Sequence, residues 1–300
     1  MDATEMSSLK DIFKELSGEC TPETAEYELQ FLWRDLSSDF DIIGPYFNCH
    51  TTMDAAFTTA CLYDVLRIFY EYGFRTRVVV TDGASTNLSM IKTLSGYPHG
   101  AFGLKDAQED RHKVEPWMMN PHEPEKKIYF VICPSHQLKN QINQLWASQT
   151  GGTKNFMNGV EFGWDEIKSM WNRETQRRDD NHIRMVPGLI KSYIERDSWT
   201  KLNVKPAKIM QQPQVLAELY SYANPDNSPI PLESEHVMAT RSYLVACSQL
   251  FEEGLLKSRK PNDMTRNSQI HDMESPIILN ISEGYKYFRD WCEYLHHECE

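Results

Sequence analysis

A short β-branched run that leads directly into an aspartate, a glycine and a helical pattern constrains this sequence more than any other stretch. Val78–Val80 is typical of a strand buried on both faces, and Ala84–Leu94 has apolar residues at helical spacing. Asp82 therefore lies where a strand of an open α/β sheet gives way to a helix, an edge at which such folds bind ligands. Aspartate is a good helix cap and also a good ligand for hard divalent cations. The spacing leaves both a capping role and a metal or catalytic role open for Asp82.

The elements around this stretch follow a β-β-α-β-α order. Alternating residues predict strands at Tyr27–Arg34 and Phe40–Phe47, and a long helix is predicted between an Asp54 cap and Gly73. The central strand is thus reached through a crossover helix. Another apolar run, Ile128–Cys133, predicts a further buried strand with a helix after it.

Glycine and proline residues divide the rest of the chain. Gly96–Glu125 is predicted to be a loop, and Ser148–Asn158 is predicted to mark a domain boundary. The GGTK segment at that boundary lacks the P-loop frame and follows a helix, so it does not predict a phosphate site. A short amphipathic helix is predicted at Met6–Leu16. The second half is mainly helical, with helices predicted at Trp164–Arg177, Val186–Asp197, Val204–Ala223 and His236–Lys257.

Composition restricts the classes of function. The 300 residues carry a net charge of -12, which argues against a chain that binds DNA by overall charge. Basic residues between Arg173 and Lys208 predict either a solvated helical surface or a local phosphate or nucleotide site. No apolar run is long enough to span a bilayer, and the seven cysteines show no C-x-x-C spacing. We therefore expect a nuclear or cytoplasmic protein that is neither secreted nor embedded in a membrane.

Two segments resemble the P-element transposase family, which includes the THAP-domain transposases. VVVTDGASTNLSMIK resembles the family's second catalytic strand and the helix after it, with Asp82, Gly83, Ala84 and Asn87 in register. IYFVICPSHQLKN resembles the next strand and helix. The resemblance implies that Asp82 is a catalytic metal ligand, and that His136 and Lys139 contact nucleic acid.

Two later segments, EFGWDEIKSMW and KLNVKPAKIMQQPQVLAEL, resemble the family's GTP-binding insertion domain. By this resemblance, Lys201, Val204 and Lys205 would contact the nucleotide. Ser248 and Glu252, which stand where the family more often has Asn and Asp, would contact it as well. The cofactors implied by the resemblance are GTP and Mg²⁺ or Mn²⁺.

The resemblance also predicts the architecture and the chemistry. The expected fold is α/β, a partial RNase H-like mixed sheet with flanking helices, followed by a mainly α-helical insertion domain. The expected segments are 1–24 (helix and linker), 25–150 (RNase H-like), 151–262 (insertion) and 263–300 (loop and helix). Because the family's first strand has no counterpart here, the Val78–Val80 strand is expected to keep an unpaired edge unless the Tyr27–Arg34 strand or a partner chain fills the gap.

The family cuts and joins DNA with three acids that hold two divalent metal ions. Counterparts of its first and last acids are missing from this sequence, so we expect a truncated or domesticated transposase without strand-transfer activity by itself. The alternatives are a part of a longer active transposase, or a module that binds guanine nucleotides or proteins. DNA and a further copy of the chain or a related transposase are the expected partners, although the C-x-x-C spacing of a THAP zinc finger is absent.

Overall fold

The computed structural model describes residues 27–36, 38–49, 53–95, 116–176, 184–224, 232–256, 270 and 272–298. Contacts within the chain group it into two compact units, Met1–Val131 and Ile132–Glu300. The helix after Cys133 therefore groups with the helical unit, whereas the sequence placed it with the sheet. The predicted helix Met6–Leu16 lies outside the described residues.

The first unit begins with an antiparallel hairpin of β1 (Tyr27–Arg34) and β2 (Asp41–Cys49), which confirms the two predicted strands. A register shift opposite Phe31 places Gly44 and Pro45 in a bulge. Proline is tolerated there because a bulge does not need its missing N–H for the ladder.

Helix α1 (Ala55–Glu71) follows and is capped as predicted. The Asp54 carboxylate accepts a hydrogen bond from the Phe57 N–H at 2.7 Å, which satisfies one of the free donors of the first turn. At the other end Gly73 adopts a φ of +88°, a conformation that glycine reaches without strain. One side of α1 is buried, and its residues are Cys61, Leu62, Val65, Leu66 and Phe69.

A three-stranded sheet completes this unit, with strand order β3 (Val78–Thr81), β5 (Glu123–Ile132) and β4 (Trp117–Asn120). Helix α2 (Ser85–Leu94) follows β3 directly. The predicted β-β-α-β-α order is therefore confirmed. The predicted crossover to a central strand was wrong, because among the described residues β1 and β2 form a separate sheet and β3 lies at the edge of its own. The core of the unit joins both helices to the sheet and contains Leu62, Leu66, Met90, Met118, Ile128 and Phe130.

Two further predictions for this unit were wrong. The predicted loop Gly96–Glu125 contains β4 and the start of β5, which pair as an antiparallel hairpin. Pro116 and Pro121 flank β4, and Pro124 is the second residue of β5, so these three prolines do not break the ladder. The Val78–Val80 strand is not buried on both faces, because Val79 packs on the core while Val80 is 59% exposed. Among the described residues, β3 is an outer strand of its sheet, as expected.

The second unit begins with α3 (Pro134–Ala147) and a short hairpin of β6 (Asn155–Met157) and β7 (Val160–Phe162). The hairpin occupies the predicted boundary near residue 150, where Ser148 Oγ donates to Phe162 O at 2.8 Å. Glycines and serines at this point therefore form a turn inside one unit.

Helices make up the rest of the second unit. Helix α4 (Trp164–Gln176) is confirmed, but the other predicted helices are interrupted. Their breaks follow local chemistry, since Pro187, Asp197 and Pro213 each suit a turn or a helix beginning. The observed elements are α5 (Lys191–Ile194), α6 (Ser198–Leu202), α7 (Val204–Met210), α8 (Pro213–Ala223), α9 (Leu232–Cys247), a π-helix (Ser248–Leu255) and α10 (Pro276–Glu298).

The core of the helical unit is rich in large side chains. Trp164 and Tyr243 are fully buried, and Phe162, Tyr243 and Trp291 meet in edge-on and tilted ring contacts. Such contacts add to the stabilisation from burial. Among the described helices, none combines the length and the hydropathy that crossing a membrane requires.

Candidate functional site

Asp82 lies in the turn between β3 and α2. Its Oδ1 accepts two hydrogen bonds, from the Ala84 N–H and from Asn87 Nδ2, both at 2.9 Å. Gly83 has a φ of +80°, so the turn needs a residue that enters the left-handed region easily. Ala84 is the N-cap residue, and Asp82 organises the turn that precedes it. The carboxylate therefore shapes the β3–α2 connection.

A two-metal site needs several carboxylates to hold its two divalent ions. Within its own turn, Asp82 Oδ1 contacts a backbone amide and an asparagine side chain. Within the described ranges, no group of three or more His, Cys, Asp and Glu side chains is placed to hold a metal ion. The metal role that the resemblance implied for Asp82 remains a prediction.

His136 and Lys139 lie one turn apart near the beginning of α3. The chain enters this helix through Cys133 and Pro134, and proline suits a first turn that lacks intrahelical acceptors for its N–H groups. The Nδ1 atom of His136 is buried and has no hydrogen-bond partner among the described residues. The first turn of α3 therefore contains a buried imidazole nitrogen, His136 Nδ1, that lacks a hydrogen bond among the described residues.

The residues predicted to contact a nucleotide lie on three neighbours of α3. Lys201 is on α6, Val204 and Lys205 are on α7, and Ser248 and Glu252 are on the π-helix. Each of these elements packs against α3. The residues predicted to contact a nucleotide therefore lie on elements that all pack against α3.

The contact between α3 and α6 is partly polar. Lys201 Nζ lies 3.8 Å from the centre of the Trp146 ring, a cation–π contact. Asn143 Nδ2 donates to Lys201 O at 3.4 Å. Two buried acceptors in this region have no partner among the described residues, Asn143 Oδ1 and Glu252 Oε2. Such atoms mark places where water or a ligand completes the bonding.

The π-helix itself was missed by the sequence prediction, which had one α-helix over His236–Lys257. π-Helices are rare and occur frequently at functional sites. Gly254 and Gly284 allow this segment to approach α10, since a Cβ on Gly284 would lie 2.6 Å from Leu250 N. Glycine at such positions permits close backbone contact. The sequence carries no other signal for this distortion.

Arg196, between α5 and α6, was also missed. It is only 5% exposed, and its Nε, Nη1 and Nη2 atoms have no hydrogen-bond partner among the described residues. Its guanidinium carbon lies 5.9 Å from the centre of the Trp164 ring. Burial lowers the pKa of Arg196 to about 10, so the group is charged at neutral pH. The flanking acids Glu195 and Asp197 are typical of a solvated segment and concealed this burial.

A cleft of about 310 Å³ lies between α9 and α10. Its wall combines the cations Arg241 and Lys286 with the acids Glu283 and Asp290. It contains none of the residues that the resemblance assigned to metal, nucleic-acid or nucleotide contacts. The mixed charges favour no single class of ligand.

Comparison with known proteins identifies the fold. The sequence matches no protein family model and no curated protein. A solved structure, the Drosophila P element transposase strand transfer complex, is similar with a TM-score of 0.52. The chain shares a P element transposase fold.

The similarity covers 90% of this chain and 64% of the P element transposase chain, at 14% sequence identity. At such low identity the likeness establishes the fold alone. The predicted fold class, an α/β sheet region followed by a mainly helical region, is confirmed.

Proposed function

We propose that this protein is a truncated or domesticated P-element-type transposase that does not carry out strand transfer by itself. The observation that carries the proposal is the transposase fold over 90% of the chain. Its sheet region would correspond to the RNase H-like part of the enzyme, and its helical region to the insertion domain.

The hydrogen bonds of Asp82 support the proposed lack of strand-transfer activity. In a two-metal mechanism one ion activates the attacking oxygen and the other stabilises the leaving oxygen, and several carboxylates hold the pair. Asp82 Oδ1 instead accepts bonds from the Ala84 N–H and from Asn87 within its own turn. A residue in this setting maintains the turn even where no metal binds.

Cleavage of supercoiled plasmid DNA in Mn²⁺ tests this proposal. The wild-type chain, Asp82→Asn and the matched control Asp64→Asn, an exposed acid on α1, are compared at equal concentration. We expect no nicking above background from any of the three. Nicking by the wild type and the control that Asp82→Asn abolishes would overturn the proposal.

A second candidate is that the chain is a part of a longer, active transposase. The observation that favours it is the coverage, since the similarity extends over 64% of the P element transposase chain. Mapping of the transcript tests it. An in-frame extension that encodes a strand bearing an aspartate, and that restores Asp82-dependent cleavage, would support this candidate.

A third candidate is a module that binds guanine nucleotides. The observation that favours it is the convergence of α6, α7 and the π-helix on α3. A buried oxygen of Glu252 also has no hydrogen-bond partner in the part of the chain that the structure describes. Titration calorimetry with GTP at physiological salt tests it, with Glu252→Gln as the variant and Glu283→Gln as the control. A heat of GTP binding that is present in the wild type and Glu283→Gln but lost in Glu252→Gln would support nucleotide binding. No heat of binding with the wild type would exclude this candidate.

A further inference from the structure

A segment without acids stands out in this acidic chain. Residues 198–217 contain Lys201, Lys205 and Lys208 and no Asp or Glu, although the whole chain has 43 acids and a net charge of -12. The nearest acid before it is Asp197, whose carboxylate accepts hydrogen bonds from the Thr200 N–H and hydroxyl. The segment is therefore a local positive region.

An aromatic ring projects from this region. Trp199 is 81% exposed, more than any other large apolar side chain among the described residues. Leu202, one turn later on the same side of α6, is also exposed. Tryptophan is usually well buried, so an open ring beside lysines offers a flat surface on which a nucleic-acid base can stack.

Two exposed lysines lie on α7, which follows α6 after the single residue Asn203. Lys205 and Lys208 are one turn apart, and among the described residues neither forms an ion pair. The opposite side of α7 anchors the helix, since Ala207 and Met210 are fully buried. The lysine amines are therefore held on a fixed helix and are available to phosphates.

These observations favour a strand over a single nucleotide. Trp199 is exposed on an open surface, which does not enclose a small ligand as most nucleotide sites do. A single strand needs no enclosure, because it combines stacking on aromatic rings with a row of cations along its backbone. Duplex DNA keeps its bases stacked on one another and cannot stack on Trp199.

We propose that Trp199, Lys205 and Lys208 form a binding surface for single-stranded nucleic acid. The inference rests on the proposed transposase function only for the biological source of the single strand. Binding of a single strand to this surface can be measured without that function. Because the surface lies in the helical unit and Asp82 lies in the sheet unit, binding and cleavage are separable.

Fluorescence anisotropy of a labelled oligothymidine tests the inference on the full chain. Trp199→Ala is compared with Tyr285→Ala, which removes another exposed aromatic ring from the helical unit. One stacked base contributes about 1–3 kcal/mol, so Trp199→Ala should weaken binding about 5- to 150-fold. Tyr285→Ala should bind like the wild type. Equal affinities for Trp199→Ala and the wild type would overturn the proposal.

A second variant tests the lysines independently. Lys205→Ala with Lys208→Ala should reduce the slope of log affinity against log salt by about 1.4, since each single-strand phosphate contact contributes about 0.7. An unchanged slope would exclude the lysines from the surface. If GTP binds with the same Trp199 dependence and the oligonucleotide does not bind, the surface is a nucleotide site and the proposal is wrong. The plasmid cleavage assay has a separate readout, so either proposal can fail alone.

Discussion

The sheet unit and the helical unit bury their apolar residues in different ways. The helical unit encloses a large aromatic core around Trp164 and Tyr243, both fully buried. The sheet unit has a smaller core on one face of its sheet, and apolar residues such as Ile43 and Val80 remain exposed on its strands. Sheets that are covered on one face normally carry polar residues on the other. The difference shows that the helical unit buries a larger apolar core than the sheet unit does.

The largest effect on stability is expected from a substitution in the core of the helical unit. Trp164→Ala should lower the free energy of unfolding of the helical unit by about 3–5 kcal/mol, because it opens a cavity. It also removes the hydrogen bond from Trp164 Nε1 to Ile194 O at 2.9 Å. Urea unfolding with separate probes for the two units measures the change. An unchanged transition for the helical unit would show that its core does not depend on this ring.

Replacing the buried Arg196 is expected to increase the stability of the helical unit. Arg196→Met should raise the stability of the helical unit by about 1–4 kcal/mol, since an apolar side chain of similar length replaces a buried charge that has no hydrogen-bond partner among the described residues. Arg289→Met, at an exposed position, should stay within about 1 kcal/mol of the wild type. Thermal unfolding of both variants measures this. Destabilisation by Arg196→Met would mean that the guanidinium has a stabilising partner.

Arg196 also makes the stability of the helical unit depend on pH. The pKa of Arg196 is lowered from 12.5 to about 10 in the folded state, so the unfolded chain binds more protons between these values. The stability contributed by this site therefore rises as pH increases above about 10. The stability difference between Arg196→Met and the wild type should shrink from pH 9 to pH 11. A constant difference would contradict the burial of the charge.

A smaller effect is expected at the beginning of α1 in the sheet unit. Asp54→Ala removes the cap that accepts the Phe57 N–H and should destabilise the unit by about 1 kcal/mol. Asp64→Ala is the control, since Asp64 lies exposed within the same helix. Hydrogen exchange of the α1 amides reports the loss directly. Equal effects of the two substitutions would show that the cap contributes nothing specific.

The smallest effect is expected on the open face of the hairpin. Ile43 is 73% exposed, so Ile43→Thr should change stability by less than about 0.5 kcal/mol. Ile128→Thr, at a fully buried position of β5, should destabilise the same unit strongly. Urea unfolding compares the two. A large loss on Ile43→Thr would show that this face is already covered in solution.

Much of the local structure could be predicted from the sequence. The β1 and β2 strands, the Asp54 cap and α4 were predicted from alternation, capping residues and helical spacing. The β4–β5 hairpin was missed because β4 has only four residues and lies among prolines, which favour a loop. The residues assigned to nucleotide contacts by resemblance lie on elements that share α3 as a neighbour, and their roles stay predictions.

The sequence by itself determined where β1, α1 and α4 begin, because caps and periodicity act between residues a few positions apart. Only the tertiary structure decided that Val80 is exposed, that Arg196 is buried and that α9 continues as a π-helix. Those properties depend on contacts between segments far apart in the chain. A side chain such as Arg196, flanked by acids, carries no local sign of the core around it.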